Sequence, residues 1–179
     1  TAAAVFARKG VAGATVRDIA DEAHILSGSL YHHFDSKDQM VEEILRLGFE
    51  ELIDRYRVAV AASGTCAAAI RGVVGAGTDF MMRNQVVGMI IRNDSRQLEQ
   101  IARFSFIGEY KSTLRDIVTD VLQRGVSTGE LRADLDMEIT YFVISDALLG
   151  AVRYPSIGQR EPEDVGALIS DLLVRSLLP

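Results

Sequence analysis

From Lys37 to Ala62 the chain runs for about seven helical turns without a proline. Along it Val41, Leu45, Gly48 and Leu52 recur at i, i+4, i+7 and i+11, which lays one apolar stripe down a helix and matches no strand. A stripe that long has to be covered by other helices. The same period returns at Ile107, Tyr110, Leu114, Ile117, Val118 and Val121, closing near Gly125 and Gly129. With 3 prolines among 179 residues and no run of strand alternation, the chain reads as all-α, about eight or nine helices.

The boundaries follow from local signals. Residues 2–9 read as a helix that stops at Gly10, with Gly13 in the following turn. Thr15 caps the next helix, Asp18 completes a capping box, and Val16, Ile19, Ala20 and Ala23 form its apolar side. His24, Ile25 and Leu26 make a turn. Ser27 is expected to cap a second short helix with Leu30 and Phe34 on one face, and Ser36 with Gln39 to cap the long one. Ser63-Gly64-Thr65 ends the long helix, and residues 66–92 hold two more, rich in glycine and methionine. Asp136 caps a helix whose expected core face is Ile139, Phe142, Val143 and Ala147, with a stop at Pro155. Pro162 opens the last helix, which runs to about Leu177.

Charge and cysteine use narrow the function. Four basic and four acidic groups cancel over residues 1–37, so the whole net charge of −6 lies in the remainder. That balance opposes indiscriminate nucleic-acid binding but leaves room for a local docking surface at the neutral end. A lone cysteine, Cys66, and the absence of a signal peptide or a bilayer-length apolar run fit a cytoplasmic protein. A first residue of Thr1 rather than Met is read as a chain starting partway into its natural protein, with any basic arm out of sight.

All three histidines fall within "TVRDIADEAHILSGSLYHHFDSKDQM", residues 15–40. Two short helices joined by a three-residue turn form a helix-turn-helix, whose second helix enters a major groove. Ser27, Gly28 and Ser29 put small side chains at the start of that helix, where phosphates or base edges approach closely. Tyr31 and His32 leave the face opposite Leu30 and Phe34. Lys37 and Thr15 are placed to meet phosphates on either side. Ser27 and Ser36 would cap helices in any protein, so capping stands beside a DNA role for them, and His33 reads as a packing or surface histidine. Adjacent His32 and His33 diverge by about 100° around a helix and cannot easily chelate one metal ion. No cofactor is expected. A helical enzyme is a weak alternative, lacking a G-x-S-x-G elbow, a P-loop or a Rossmann fingerprint. A structural adaptor without DNA binding would leave Tyr31, His32 and Lys37 unexplained.

On these residues, "TVRDIADEAHILSGSLYHHFDSKDQMVEEIL" resembles the DNA-binding domain of the TetR family of bacterial repressors. The resemblance implies a helix-turn-helix domain over residues 1–48 and a helical ligand-binding and dimerisation domain over 49–179. It also implies a homodimer on a double-stranded, palindromic operator, with Thr15, Ser27, Gly28, Ser29, Tyr31, His32 and Lys37 as the DNA-contacting set. Members usually carry a small residue where His24 stands. Within the family, "ILSGSLYHHF" and "RFSFIGEYK…VLQRGVSTGELRADLD" are similar to repressors of actinobacterial cholesterol degradation, which implies a small hydrophobic effector such as an acyl or steroid coenzyme A thioester.

Glycine costs up to about 1 kcal/mol in a helix and methionine packs adaptably, so Gly72 to Met89 suits the wall of a ligand cavity. Candidate lining residues are Phe80, Met89, Phe104, Tyr110 and Leu114, with Arg92 or Arg96 as an anchor for an acidic group, completed by Ser145 and Leu149. Around Ser145 and Leu149 the helix is smaller and less polar than in those cholesterol regulators, so the ligand can differ. Ala147, Gly150 and Ala151, then Gly166, Ala167 and Ser170, are small enough for two helices per subunit to meet closely in a dimer.

Overall fold

The computed structural model describes residues 2–151 and 159–179. Its helices are α1 Ala2–Gly13, α2 Val16–Ala23, α3 Ser27–Tyr31, α4 Lys37–Ala61, α5 Cys66–Arg83, α6 Gln85–Asn93 and α7 Ser95–Leu98. A 3-10 turn at Ala102–Phe104 leads to α8 Phe106–Ser127, α9 Met137–Ala151 and α10 Pro162–Leu177. No strand occurs among the described residues. The helix stop expected at Pro155 lies outside them.

Packing divides the chain into two compact units, one of residues 1–49 and 84–108, the other of residues 50–83 and 109–179. The N-terminal helices thus share a unit with α6, α7 and the 3-10 turn. In this first unit Gly10 adopts φ 70° and ψ 167°, so it kinks α1 and the helix resumes at Val11 instead of stopping. Val5, Phe6, Ile19, Ala20, Val41 and Leu45 close the core. Gly48 is required where α4 meets α6, because a Cβ there would stand 2.7 Å from Val87 Cγ1. Across the same unit Glu42 accepts from Arg46 Nε at 3.0 Å and from Arg103 Nη1 at 2.9 Å. The Arg46 guanidinium lies 3.9 Å over the Phe106 ring.

In the second unit α5 is sandwiched by α9 and α10. Gly166 of α10 comes so close to α5 that a Cβ would sit 3.2 Å from Gly75 Cα. Beyond α8, Asp136 Oδ1 accepts from the amides of Glu138 and Ile139 and caps α9 as its sequence requires.

The face of α9 differs from expectation. Ile144, Leu148 and Ala151 are buried, whereas Ile139, Phe142 and Val143 stand exposed, Phe142 at 61%. The helix is apolar on nearly every side, so periodicity alone could not choose which side this subunit covers. Two more leucines, Leu168 and Leu172 of α10, are also exposed, Leu172 at 73%. The small residues behave the opposite way. Ala151, Gly166 and Ser170 are buried inside the subunit, Ala147 and Gly150 are half-buried, and Ala167 is exposed. Close helix approach at Ala151, Gly166 and Ser170 therefore serves packing within one chain.

Candidate nucleic-acid interface

The helix-turn-helix is built by three local devices. Thr15 Oγ1 accepts from the Asp18 amide at 3.2 Å while Asp18 Oδ2 accepts from the Thr15 amide at 3.0 Å, a complete capping box. Lys9 and Thr15 hydrogen-bond the Asp18 carboxylate, lowering its pKa to about 2. At the far end of α2, the His24 amide reaches the Asp21 carbonyl and the Ile25 amide reaches Ala20, a Schellman closure. It requires a left-handed residue, and His24 takes φ 55°. An imidazole pays a steric penalty there that glycine does not, so His24→Gly should raise unfolding stability by about 0.5–1 kcal/mol in urea melts. An unchanged or lower midpoint would show that the histidine ring makes a compensating contact.

The third device departs from expectation. Helix α3 begins one residue earlier than a serine cap allows: Leu26 is the N-cap, without a side-chain cap, and Ser27 is already helical. Leu30 and Phe34 turn partly inward, while Gly28, Ser29, Tyr31, His32 and His33 are exposed. Tyr31 shows 56% of its surface to solvent. The start of α4 is only half a capping box: Ser36 Oγ accepts from the Gln39 amide, but Gln39 Oε1 takes the amide of Asp35.

Two of the expected phosphate contacts are otherwise engaged. Lys37 Nζ donates to the carbonyls of Val11 at 2.7 Å, Ala14 at 3.0 Å and Ala12 at 3.5 Å. It closes the end of α1, where helix carbonyls lack partners and carry negative partial charge. Thr15 is exposed, yet its hydroxyl donates to Asp18 Oδ2 at 2.8 Å. Arg8 pairs with Glu22 and Lys9 with Asp18, each at 2.7 Å. Arg17, absent from the expected set, is solvent-exposed with only a loose 4.0 Å contact to Asp21, and its place in the first turn of α2 could have suggested it.

The candidate ligand residues fall in both units. Met89, Arg92 and Phe104 belong to the first, with Phe104 wholly buried and Arg92 exposed. Phe80, Tyr110, Leu114, Ser145 and Leu149 belong to the second. There Tyr110 donates to Glu50 at 2.8 Å and Ser145 to the Phe142 carbonyl at 3.0 Å. None of the eight lines the surface cleft of about 520 Å³ walled by Arg57, Val60, Ile117, Asp120 and Arg124. Sequence reasoning passed over Tyr56 and Tyr141 in the same unit. Burial pushes both phenol pKa values up, and Tyr56 is raised further by its neighbour Tyr141. No signal in the sequence pairs them, because they lie 85 residues apart on different helices.

No helix of the described residues is long and apolar enough to cross a membrane, and no cluster among them could hold a metal ion.

The geometry matches known proteins. The family model of the bacterial regulatory proteins, tetR family, matches residues 1–44, and that of the tetracyclin repressor-like C-terminal domain matches residues 63–177. The HTH-type transcriptional repressor KstR2 of Rhodococcus jostii is 38% identical over 153 residues, covering 86% of this chain and 75% of that one. The structure of the ketosteroid transcriptional regulator KstR2 of Mycobacterium tuberculosis superposes with a TM-score of 0.93 at 35% identity, covering 99% of this chain and 91% of that one. At 19% identity, AibR in complex with isovaleryl coenzyme A and operator DNA shares the fold, with a TM-score of 0.80 over 100% of this chain and 95% of that one. Matches to both family models and 38% identity to a repressor over most of the chain agree with the capped helix-turn-helix and the helical domain that follows it: the chain belongs to the tetR family of bacterial regulatory proteins and is a DNA-binding transcriptional repressor.

Proposed function

We propose that the protein works in the cytoplasm as a homodimer that sets two α3 helices in successive major grooves of a palindromic operator. A small hydrophobic effector, an acyl or steroid coenzyme A thioester, releases it. The observation that carries the DNA reading is the outward face of α3: Gly28, Ser29, Tyr31 and His32 are exposed while Leu30 and Phe34 hold the helix down. Ser27, half-buried at the first turn, contributes its amide and hydroxyl. Lys37 acts by fixing α1, and Thr15 by fixing α2. The functional division falls at residues 48/49, with the effector taken among the helices that carry Phe80, Tyr110, Leu114, Ser145 and Leu149.

Support for a steroid comes from the ketosteroid regulator that this chain resembles over nearly its whole length, and support for a coenzyme A thioester from the isovaleryl coenzyme A bound by AibR, which shares the fold. The exposed apolar side chains of α9 and α10 support a dimer, because water-facing Phe142 and Leu172 want a cover. An effector releases the operator only as far as it binds the released state more tightly. About 2.7 kcal/mol of that preference gives a hundredfold loss of occupancy.

The test is fluorescence anisotropy with a duplex selected by the purified protein from a random library. Tyr31→Ala should weaken binding by about ten- to a hundredfold without altering the thermal melt. Equal affinity of variant and wild type would remove α3 as the reading helix. Saturating acyl and steroid coenzyme A thioesters should then release the wild-type complex, and failure of every thioester would overturn the effector class alone.

A further inference from the structure

We propose that Leu26 reads the 5-methyl group of a thymine in the operator's major groove, a proposal that rests on α3 being the DNA-reading helix. Leu26 occupies the N-cap of α3 with φ −72° and ψ 139°, and its carbonyl accepts the Ser29 amide at 2.9 Å. Serine, threonine, aspartate or asparagine at a cap would also satisfy an unpaired helix amide through the side chain; leucine has nothing to offer it. The same residue is 81% exposed, the greatest exposure of any large hydrophobic among the described residues.

Two unfavourable choices coincide at one position. The cap is forgone, and a large apolar side chain is left in water. A contact made only in the complex accounts for both. What waits there is restricted by place: residues at the start of a reading helix meet base edges. Among the groups that base pairs present in the major groove, the thymine methyl is the apolar one. Access is open on the protein side, since a Cβ built on neighbouring Gly28 meets no atom within 4 Å and Ser29 is exposed with a short side chain. Tyr31 and His32 supply polar contacts one turn on, so Leu26 adds an apolar criterion to a surface that otherwise reads hydrogen bonds.

The experiment uses the selected duplex and replaces thymines pairwise, at symmetry-related positions, by deoxyuridine, which removes the methyl and nothing else. For the wild-type protein, one pair of positions should weaken binding about fourfold per half-site, or about fifteenfold for both. Leu26→Ala should bind the thymine and deoxyuridine duplexes alike. Leu26→Ser should lose the same discrimination while melting at a higher temperature, because serine restores the cap. Indifference of the wild type to deoxyuridine at every position overturns the proposal. So does full methyl dependence retained by Leu26→Ala. A library that yields no preferred duplex sinks the DNA-reading assignment itself, whereas a preferred duplex without methyl dependence sinks only the role of Leu26.

Discussion

Phe142→Glu leaves the subunit folded but monomeric, and lowers operator affinity by about a hundredfold or more. The side chain projects from α9 with 61% of its surface exposed, so glutamate meets no steric or desolvation barrier within one chain. In a dimer it would bring a carboxylate onto an apolar surface that includes Ile139 and Val143 on the same helix, and burying an unpaired charge there is prohibitive. Losing the second subunit removes the second reading helix, and with it the gain that comes from two linked sites. Sedimentation measures the first effect and anisotropy on the selected duplex the second. A dimeric Phe142→Glu protein would mean that α9 is not part of the covered face. Leu172→Glu on α10 then tests the neighbouring helix by the same readouts.

Lys37→Met lowers folding stability by about 2 kcal/mol and leaves the salt dependence of operator binding unchanged. Methionine keeps the length of the chain but withdraws the ammonium from the carbonyls of Val11, Ala12 and Ala14. Those groups lie at the end of α1, so the loss falls on the first unit. A lysine that touched phosphate would behave in the reverse way, with stability intact and a salt slope smaller by about one. Chemical denaturation and binding at several salt concentrations separate the two. A normal melt together with a reduced slope would return Lys37 to the DNA surface.

The residues show why some features could be read from sequence and others could not. Helix periods and side-chain caps are local, so α4, α8 and the Thr15 and Asp136 caps were legible directly. The outward Tyr31 and His32 followed from Leu30 and Phe34 turning inward, which is again a matter of helical phase. The carbonyl partners of Lys37 were not legible because they lie 26 and 23 residues away, where the end of α1 meets the start of α4. The phase of α9 was misread for a different reason. An apolar helix with two coverable faces carries no mark distinguishing the side its own subunit buries. At Leu26 the rule that serine caps helices pointed one residue too far, and that misplacement hid an unusually exposed leucine.

The ion pairs around α2 bear on how the repressor meets unrelated DNA. Arg8 and Lys9 are turned toward Glu22 and Asp18, and Lys37 toward its own backbone, so these cations displace few counterions from a duplex of arbitrary sequence. Arg8, Lys9 and Lys37 should therefore add little to the salt dependence of binding to unrelated duplex, so that neutralising Arg8 or Lys9 leaves that slope unchanged in anisotropy measurements.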